Sequence, residues 1–263
     1  MLTHFTSWLR EALPWPLLYI YRKTRALPQD FSHIASFITH ATTTPTRIRG
    51  RMWLVLKCYR ISFSVDCPHM EHEMIQVMQA ILNTEPHMEG VVVEAGAYKG
   101  GSSAKLSLAA ALANRTLYIF DSFEGIPEHH EAHGKNIYGG DAHFPAGSYR
   151  GSREEVERAI RAYGRLDHCE FVQGWFENTM PHFKKPVTAA YVDVDLQSST
   201  RTCVTHLYPL LTPRAPLFSQ DGHLPLIIAL LKDATFWKNV LHISPPPITG
   251  LGTQKLVKIT KPT

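Results

Sequence analysis

The sequence has few cysteines and no long apolar runs. Its 263 residues include four cysteines, and no two of these form a C-x-x-C pair: Cys58, Cys67, Cys169 and Cys203. This usage predicts free thiols in a reduced, cytoplasmic setting. No apolar stretch reaches the length of a membrane span, and the first residues lack a signal peptide's apolar core and small-residue cleavage site. We therefore expect no stable membrane insertion.

The sequence also lacks the cluster of basic residues that is typical of nucleic-acid-binding proteins. The formal net charge is +4 and the sequence pI is about 8.8, which is only mildly basic. Across the whole chain the basic residues are spread out and are not interleaved with aromatic residues on one segment, so we expect no nucleic-acid partner. The length suits one large domain, or one domain with an appendage.

The stretch Val91–Ser103, VVVEAGAYKGGSS, is the most informative in the chain. Three β-branched residues end at Glu94, a turn with Gly96 and Gly100 follows, and an alanine-rich run begins after Ser103. This order predicts a buried parallel strand, a turn that lets backbone approach a ligand, and a helix that starts at the ligand. A tight turn without any ligand is the simpler alternative, because such glycine turns are common.

A second predicted strand, Leu117–Asp121, ends in a carboxylate that could accept hydrogen bonds from ribose hydroxyls. The glycines do not follow the G-x-G-x-x-G spacing of dinucleotide sites, and Glu94 would repel a pyrophosphate. S-adenosylmethionine carries a sulfonium and an ammonium group and no phosphate, so it suits an acidic strand end better. These features favour a methyl donor over the NAD(P) of an oxidoreductase.

Four motifs occur in order: VVVEAGAYKGGSS, FDSFEGIP (Phe120–Pro127), GWFENTMP (Gly174–Pro181) and DVDLQSST (Asp193–Thr200). Together they resemble the TylF-type macrocin O-methyltransferase family over roughly Gly90 to Trp237. The resemblance implies a class I S-adenosylmethionine-dependent fold and a divalent-metal-assisted methyl transfer, commonly to a sugar hydroxyl of a natural product. It also implies a homodimer.

Apolar runs and helical patterns alternate along the chain, which predicts an α/β fold with a doubly wound, mostly parallel, seven-stranded Rossmann-like sheet. The parallel strands are predicted at Val91–Glu94, Leu117–Asp121, Glu170–Gln173, Ala189–Asp193 and Pro216–Ser219. A C-terminal antiparallel hairpin is predicted from Val240–Ser244 and Lys255–Ile259.

The remaining segments are predicted to surround this sheet. Residues 1–85 form an N-terminal helical extension or cap, in which Met1–Arg49 contains short helices punctuated by prolines. Residues 86–263 form the methyltransferase domain. Within it, residues 122–151 lack apolar periodicity and follow the end of a strand, where ligands bind in open α/β sheets, so we expect a lid there.

The cofactor is expected to lie against the glycine turn and the second strand. Glu94 is assigned to the methionine ammonium group, directly or through its turn, and Asp121 to the ribose hydroxyls. Trp175 or Phe176 could flank the adenine, although both could equally be packing residues. The predicted cofactor-binding residues are Glu94, Ala95, Gly96, Tyr98, Gly100, Ser102, Asp121, Ser122, Phe123 and Trp175.

Carboxylates at two further strand ends predict a magnesium site, because Mg²⁺ prefers oxygen ligands. The predicted ligands are Asp193, Asp221 and the amide oxygen of Gln220; Asp195 ends the same strand as Asp193 but could simply cap a helix. The resembled family has a pair of aspartates where this chain has Gln220-Asp221. The metal could therefore bind more weakly, or be absent.

Methyl transfer also needs an aligned and deprotonated hydroxyl. By its position, His143 in the lid best matches the histidine that the resemblance marks as catalytic, and His223 is its competitor; Asp193 completes the predicted catalytic set. The predicted activity is O-methylation of a small hydroxylated acceptor, a glycoside or a secondary metabolite. The alternative is a Rossmann-like binding or scaffold protein that has lost its chemistry, which Gln220 in the metal pair suggests.

Overall fold

A computed structural model describes residues 15–40 and 42–263, although side chains 15, 16, 18 and 21–29 fall outside the description. Its main sheet has seven strands in the order β5-β2-β1-β6-β7-β9-β8. These strands are β1 (Val91–Ala95), β2 (Leu117–Asp121), β5 (Cys169–Gln173), β6 (Val187–Val192), β7 (Pro216–Ser219), β8 (Ile248–Thr249) and β9 (Val257–Thr260). The first five are parallel, and β9 runs antiparallel to both neighbours. The predicted fold class is confirmed.

Helices cover both faces of this sheet. They are α1 (Trp15–Thr39), α2 (Ile48–Ser64), α3 (Glu71–Leu82), α4 (Gly101–Leu112), α5 (Arg153–Tyr163), α6 (Phe176–Thr179), α7 (Gln197–Leu207) and α8 (Pro225–Lys232). Side chains alternate along β1: Val92 joins the core under α2 to α5, whereas Val93 and Ala95 join the core under α7 and α8. Burial on both faces explains why β1 is a nearly continuous apolar run.

The N-terminal region differs from the predicted short helices. The single helix α1 passes through Pro28, and Pro14 lies outside the described residues. An internal proline removes one backbone hydrogen bond, but α1 packs along both α2 and α3, and its Phe37 is fully buried. Tertiary packing therefore outweighs the local effect of Pro28. The division into residues 1–85 and 86–263 stays a prediction.

The predicted strand Val240–Ser244 is wrong. A turn of π-helix occupies Phe236–Val240, and it is held by the buried Trp237, whose Nε1 donates to Leu231 O at 2.9 Å. Three consecutive prolines follow, and proline cannot donate to a sheet ladder, so the strand begins only at Ile248. An antiparallel C-terminal pair is present nevertheless, formed by β8 and β9.

The segment predicted as a lid contains a small hairpin that the sequence did not indicate. Its two strands, β3 (Gly134–Lys135) and β4 (Asp141–Ala142), pair antiparallel. The carboxylate of Glu131 accepts hydrogen bonds from Gln197 N at 2.6 Å and Ser198 N at 2.9 Å. It therefore caps the first turn of α7, where the helix dipole favours a negative charge. Residues 122–151 are thus attached to the sheet's carboxyl edge.

Candidate functional site

A cavity of about 600 Å³ opens at the carboxyl ends of β1, β2 and β6. The chain order reverses between β1 and β6, which is the position where open α/β sheets bind ligands. Nine predicted site residues line it: Gly96, Tyr98, Ser102, Asp121, Ser122, His143, Trp175, Asp193 and His223. Six others do not line it: Glu94, Ala95, Gly100, Phe123, Gln220 and Asp221.

The glycine turn after β1 approaches the loop after β6 too closely for a side chain. Gly96 has φ +89°, and a Cβ atom there would lie 2.0 Å from Asp193 O. Gly100 also has positive φ, but an added Cβ would meet α5 at Val156 Cα, 3.0 Å away. Gly96 thus lets the turn border the cavity, whereas Gly100 serves the packing of α4 on α5.

Asp121 holds this turn in place. Its Oδ2 accepts from Ala97 N at 2.6 Å, and its Oδ1 accepts from Phe123 N at 2.7 Å. Burial raises the pKa of Asp121, although these backbone hydrogen bonds oppose the effect. The carboxylate therefore connects the first and second strand ends and also borders the cavity.

Glu94 is a buried carboxylate with no hydrogen-bond partner of favourable geometry in the described part of the chain. Burial, partly offset by the hydroxyls of Ser102 and Ser103, raises its pKa to about 7. An isolated carboxylate in the interior is costly unless a cation or donor satisfies it. The position behind the glycine turn suits a ligand that brings positive charge.

Three carboxylates meet beside the glycine turn, at the ends of β6 and β7. Asp193, Asp195 and Asp221 each place an oxygen within 4.8 Å of the others. Burial and the neighbouring Asp193 raise the pKa of Asp221, whose Oδ2 accepts from Val194 N and Asp195 N at 3.1 and 3.0 Å. The cluster therefore favours a cation.

His69 completes this acidic cluster and was missed in the sequence. Its Nε2 donates to Asp193 Oδ2 at 2.6 Å, and its side chain is only 4% exposed. Burial alone would lower the pKa of His69, but the hydrogen bond to Asp193, together with the adjacent Cys67, raises it to about 9. The same bond holds the pKa of Asp193 below its usual value, although burial opposes it. No sequence motif marks a histidine 124 residues from its partner.

A buried lysine supports His69 from behind. Lys105 Nζ lies 2.7 Å from Ser62 Oγ and 3.5 Å from Cys67 Sγ. Burial would raise the pKa of Cys67, but Lys105 and the adjacent His69 lower it to about 6. Ser62, Cys67 and Lys105 therefore form a buried polar group next to His69.

Gln220 is directed away from the cavity. Its Nε2 donates to Glu73 Oε2 at 2.8 Å, and its Oε1 accepts from Tyr191 OH at 3.1 Å. The amide oxygen of Gln220, which the sequence analysis predicted as a metal ligand, therefore accepts a hydrogen bond from Tyr191 instead. Asp195 instead lies with Asp193 and Asp221 as the third carboxylate.

Both predicted catalytic histidines border the cavity, from different segments. His143 is exposed and lies in the lid, just after β4. Burial, followed by the charge of Lys255, lowers the pKa of His223 to about 4. The lid also contacts His223, because Ile137 N donates to His223 O at 3.1 Å and the Tyr138 ring stacks on the imidazole.

The predicted aromatic contacts divide into two kinds. Trp175 and Phe176 both line the cavity, beside Gly174. Phe123 is buried instead and packs against Phe171, with ring centroids 6.3 Å apart. Tyr98 directs its hydroxyl to Asp66 Oδ2 at 2.9 Å, so it is held by its neighbours.

A sequence model of the macrocin-O-methyltransferase (TylF) family matches residues 60–216, which is more than half of the chain. The chain belongs to the macrocin-O-methyltransferase family. Two characterised proteins are similar to this chain. Demethyldecarbamoylnovobiocin O-methyltransferase of Streptomyces niveus is 34% identical over 192 residues, which cover 69% of each chain. Mycinamicin III 3''-O-methyltransferase of Micromonospora griseorubida is 28% identical over 218 residues, covering 75% of this chain and 78% of that protein.

Solved structures share the fold. The O-methyltransferase NovP has a TM-score of 0.58 at 24% identity, with 73% of this chain and 79% of that chain covered. The calicheamicin methyltransferase CalS11 has a TM-score of 0.55 at 16% identity, with coverage of 89% and 91%. The range matched to the macrocin-O-methyltransferase family includes His69 and Asp193 and ends before Asp221 and His223.

Membership of the macrocin-O-methyltransferase family makes this protein an S-adenosylmethionine-dependent O-methyltransferase. The assignment decides against an NAD(P)-dependent oxidoreductase and does not favour a scaffold that has lost its chemistry. Within the described residues, no helix is long and apolar enough to cross a membrane.

Proposed function

We propose that this enzyme methylates a hydroxyl group of a sugar or another secondary metabolite in the cavity between the glycine turn and the lid. The observation that carries the proposal is that one cavity borders both the Gly96 turn and Asp193 of the acidic cluster. The names of the relatives support the acceptor class. One relative acts at the 3'' position of mycinamicin III, and another acts at the 4' position of a rhamnosyl tetracenomycin.

The cofactor fits the residues at the end of β1. We assign the methionine ammonium group to the side of Glu94, whose buried oxygens have no hydrogen-bond partner of favourable geometry in the described part of the chain. Asp121 and Trp175 line the same cavity, and we assign Asp121 to the ribose hydroxyls and the Trp175 ring to stacking on adenine. Gly96 keeps this end of the cavity open, because any Cβ there would displace the chain at Asp193.

A magnesium ion fits the acidic cluster. Three carboxylates within 4.8 Å form a set of hard oxygen donors, and the raised pKa of Asp221 indicates uncompensated negative charge. We propose Asp193, Asp195 and Asp221 as the residues that hold it, with Asp195 in place of Gln220. When bound, the ion lowers the pKa of an acceptor hydroxyl and fixes its position. His69 orients Asp193 through the 2.6 Å hydrogen bond.

The reaction is a displacement at the methyl carbon. The acceptor oxygen forms a bond to that carbon, the carbon–sulfur bond breaks, S-adenosylhomocysteine leaves, and the hydroxyl proton passes to a base. We propose His143 as the base because it borders the cavity from the lid and is exposed enough to pass the proton to water. His223 is the second candidate, because it borders the same cavity beside Asp221.

We also propose three features of the whole protein, which rest on the family resemblance and on composition alone. They are a helical cap formed by residues 1–85 over a methyltransferase domain of residues 86–263, a homodimeric state, and a cytoplasmic location. Limited proteolysis and light scattering of the purified protein would test the first two.

Calorimetric titration with S-adenosylhomocysteine, with and without Mg²⁺, tests the cofactor assignment. We expect micromolar affinity that does not require metal, because Glu94 and Asp121, the carboxylates assigned to the cofactor, are not members of the acidic cluster. Turnover of a demethylated glycoside should then require Mg²⁺ and stop on chelation. A folded sample that binds no S-adenosylhomocysteine would refute the site, and full turnover in chelator would refute the metal.

A further inference from the structure

One side of α2 exposes apolar side chains along its whole length. Ile48, Met52, Leu56 and Phe63 follow one another at intervals of four, four and seven residues, so they lie on one side of the helix. Their exposed fractions are 55%, 48%, 68% and 46%. The opposite side of α2, which includes Leu54, packs into the core. The helix thus has two apolar sides. In the described part of the chain the outer one is contacted at its end, where the Phe63 ring meets the Tyr19 ring of α1 with centroids 6.2 Å apart, whereas Ile48, Met52 and Leu56 remain largely exposed.

Cations border this exposed apolar stripe. Arg49 and Arg60 lie at its edge and are exposed, and Lys57 Nζ lies 5.3 Å from the ring centre of Trp53. Trp53 itself is 44% exposed. We call this surface the outer face of α2, and it consists of Arg47, Ile48, Arg49, Met52, Trp53, Leu56, Lys57, Arg60 and Phe63.

The charge of this segment is one-sided. Residues 31–65 contain five Lys and Arg residues and no Asp or Glu, whereas the rest of the chain contains 22 basic and 23 acidic residues. One of the five, Arg51, is buried and donates to Phe37 O, and the other four belong to the outer face. The basic residues are therefore less evenly spread than the sequence analysis expected, because the net positive charge is concentrated where apolar side chains meet solvent.

The positive charge indicates what kind of partner binds the outer face of α2. In a two-fold dimer through this face, the same cations of both copies would meet at one interface, and like charges oppose such contact. A bilayer with anionic lipids instead offers negative headgroups to the cations and an apolar layer to the stripe, and tryptophan favours the boundary between them. We propose that the outer face of α2 docks the enzyme on a membrane surface that contains anionic lipids.

The proposed docking is peripheral. A helix with one apolar stripe flanked by Lys and Arg lies in the plane of the interface, with its apolar side chains entering the headgroup boundary. The other side of α2 remains in the core of the protein, so docking requires no unfolding. Because the cations contribute electrostatic attraction, binding should weaken as ionic strength rises.

Co-sedimentation of the full chain with lipid vesicles tests the proposal. We expect pelleting with vesicles of equal phosphatidylcholine and phosphatidylglycerol at low salt, and little with phosphatidylcholine alone. The double variant Met52→Glu, Leu56→Glu should bind at least about tenfold more weakly. The double variant Arg49→Ala, Lys57→Ala should bind about 25-fold more weakly, at about fivefold per charge. Val240→Glu, an exposed position that follows the buried Phe236 and Trp237 on the other face of the sheet, is the matched control and should bind normally.

Two results would overturn the proposal. One is a wild-type protein that stays in the supernatant with both kinds of vesicle. The other is a change of oligomeric state without a change of vesicle binding. If light scattering shows that the wild type is a dimer and that Met52→Glu, Leu56→Glu is a monomer, while both bind vesicles equally, the outer face of α2 joins two copies of the chain. Unchanged thermal unfolding midpoints and an unchanged affinity for S-adenosylhomocysteine verify that each variant is folded. If Met52→Glu, Leu56→Glu does not fold, vesicle binding by Arg49→Ala, Lys57→Ala alone tests the proposal.

Discussion

Replacing Gln220 by glutamate tests why this chain departs from the family's pair of aspartates. Gln220 and Glu73 are both buried, and Gln220 Nε2 donates to Glu73 Oε2 at 2.8 Å. Gln220→Glu keeps the shape of the side chain but places two carboxylates at this distance. Their repulsion is about 6 kcal/mol at an effective dielectric constant of about 20.

The folded variant can avoid that repulsion by taking up a proton. Holding a carboxyl of ordinary pKa neutral at pH 7 costs about 4 kcal/mol, so we expect the free energy of unfolding to fall by about 3–4 kcal/mol. The folded-state pKa of the introduced carboxyl is raised above its unfolded value. The loss is therefore full at high pH and shrinks by about 1.4 kcal/mol per pH unit as the pH falls towards the unfolded pKa.

Urea unfolding between pH 5 and pH 8 measures this effect. The reversed pair, Glu73→Gln with Gln220→Glu, restores one amide and one carboxylate and should recover at least about 2 kcal/mol of the loss. Glu73→Gln alone is the control and should cost about 1 kcal/mol, because an amide oxygen can still accept from Met70 N. If Gln220→Glu is as stable as wild type at pH 8, or the double variant is no better than the single one, the pairing does not explain Gln220.

Three further predictions concern the cavity. Asp121→Ala should raise the dissociation constant of S-adenosylhomocysteine about tenfold to 100-fold, because it removes the acceptor of Ala97 N and of the ribose hydroxyls; calorimetry with unchanged affinity would remove Asp121 from the site. Asp193→Asn should leave that affinity nearly intact and abolish Mg²⁺-stimulated turnover, so a fully active variant would contradict the metal assignment. His143→Ala should lower kcat about 100-fold or more with KM little changed, whereas His223→Ala should lower it less; the reverse order in steady-state kinetics would make His223 the base.

Local patterns predicted the five parallel strands because each of them has its own signal in the sequence. Val91–Ala95 is nearly all apolar, is buried on both faces and is followed by a glycine turn, and these features are set by neighbouring residues. Val240–Ser244 shows where this reasoning fails, since a short apolar run also suits a buried helical turn. The hydrogen bond from Trp237 to Leu231 O stabilises the helical turn over the strand, and the periodicity of the sequence does not reveal such a contact.

The site was predictable to the extent that its residues follow strand ends. Asp121 ends β2, and Asp193 and Asp221 come just after β6 and β7, so topology alone brings them to one edge of the sheet. His69 follows no strand, and only the packing of the helical region on the sheet brings it to Asp193. Residues contributed by the N-terminal helices were therefore beyond what the motifs could show.

Gln220 nevertheless acts on the acidic cluster, although it does not border the cavity. Glu73 Oε2, which accepts from Gln220, also accepts from Met70 N at 2.8 Å and so holds the start of α3. Met70 directly follows His69, whose Nε2 donates to Asp193. An aspartate at position 220 would set a second negative charge against Glu73 and loosen this connection, because a buried like-charge pair separates or takes up a proton. An amide at position 220 therefore suits the contact with Glu73 that holds the start of α3 next to His69, while Asp195 supplies the third carboxylate of the cluster.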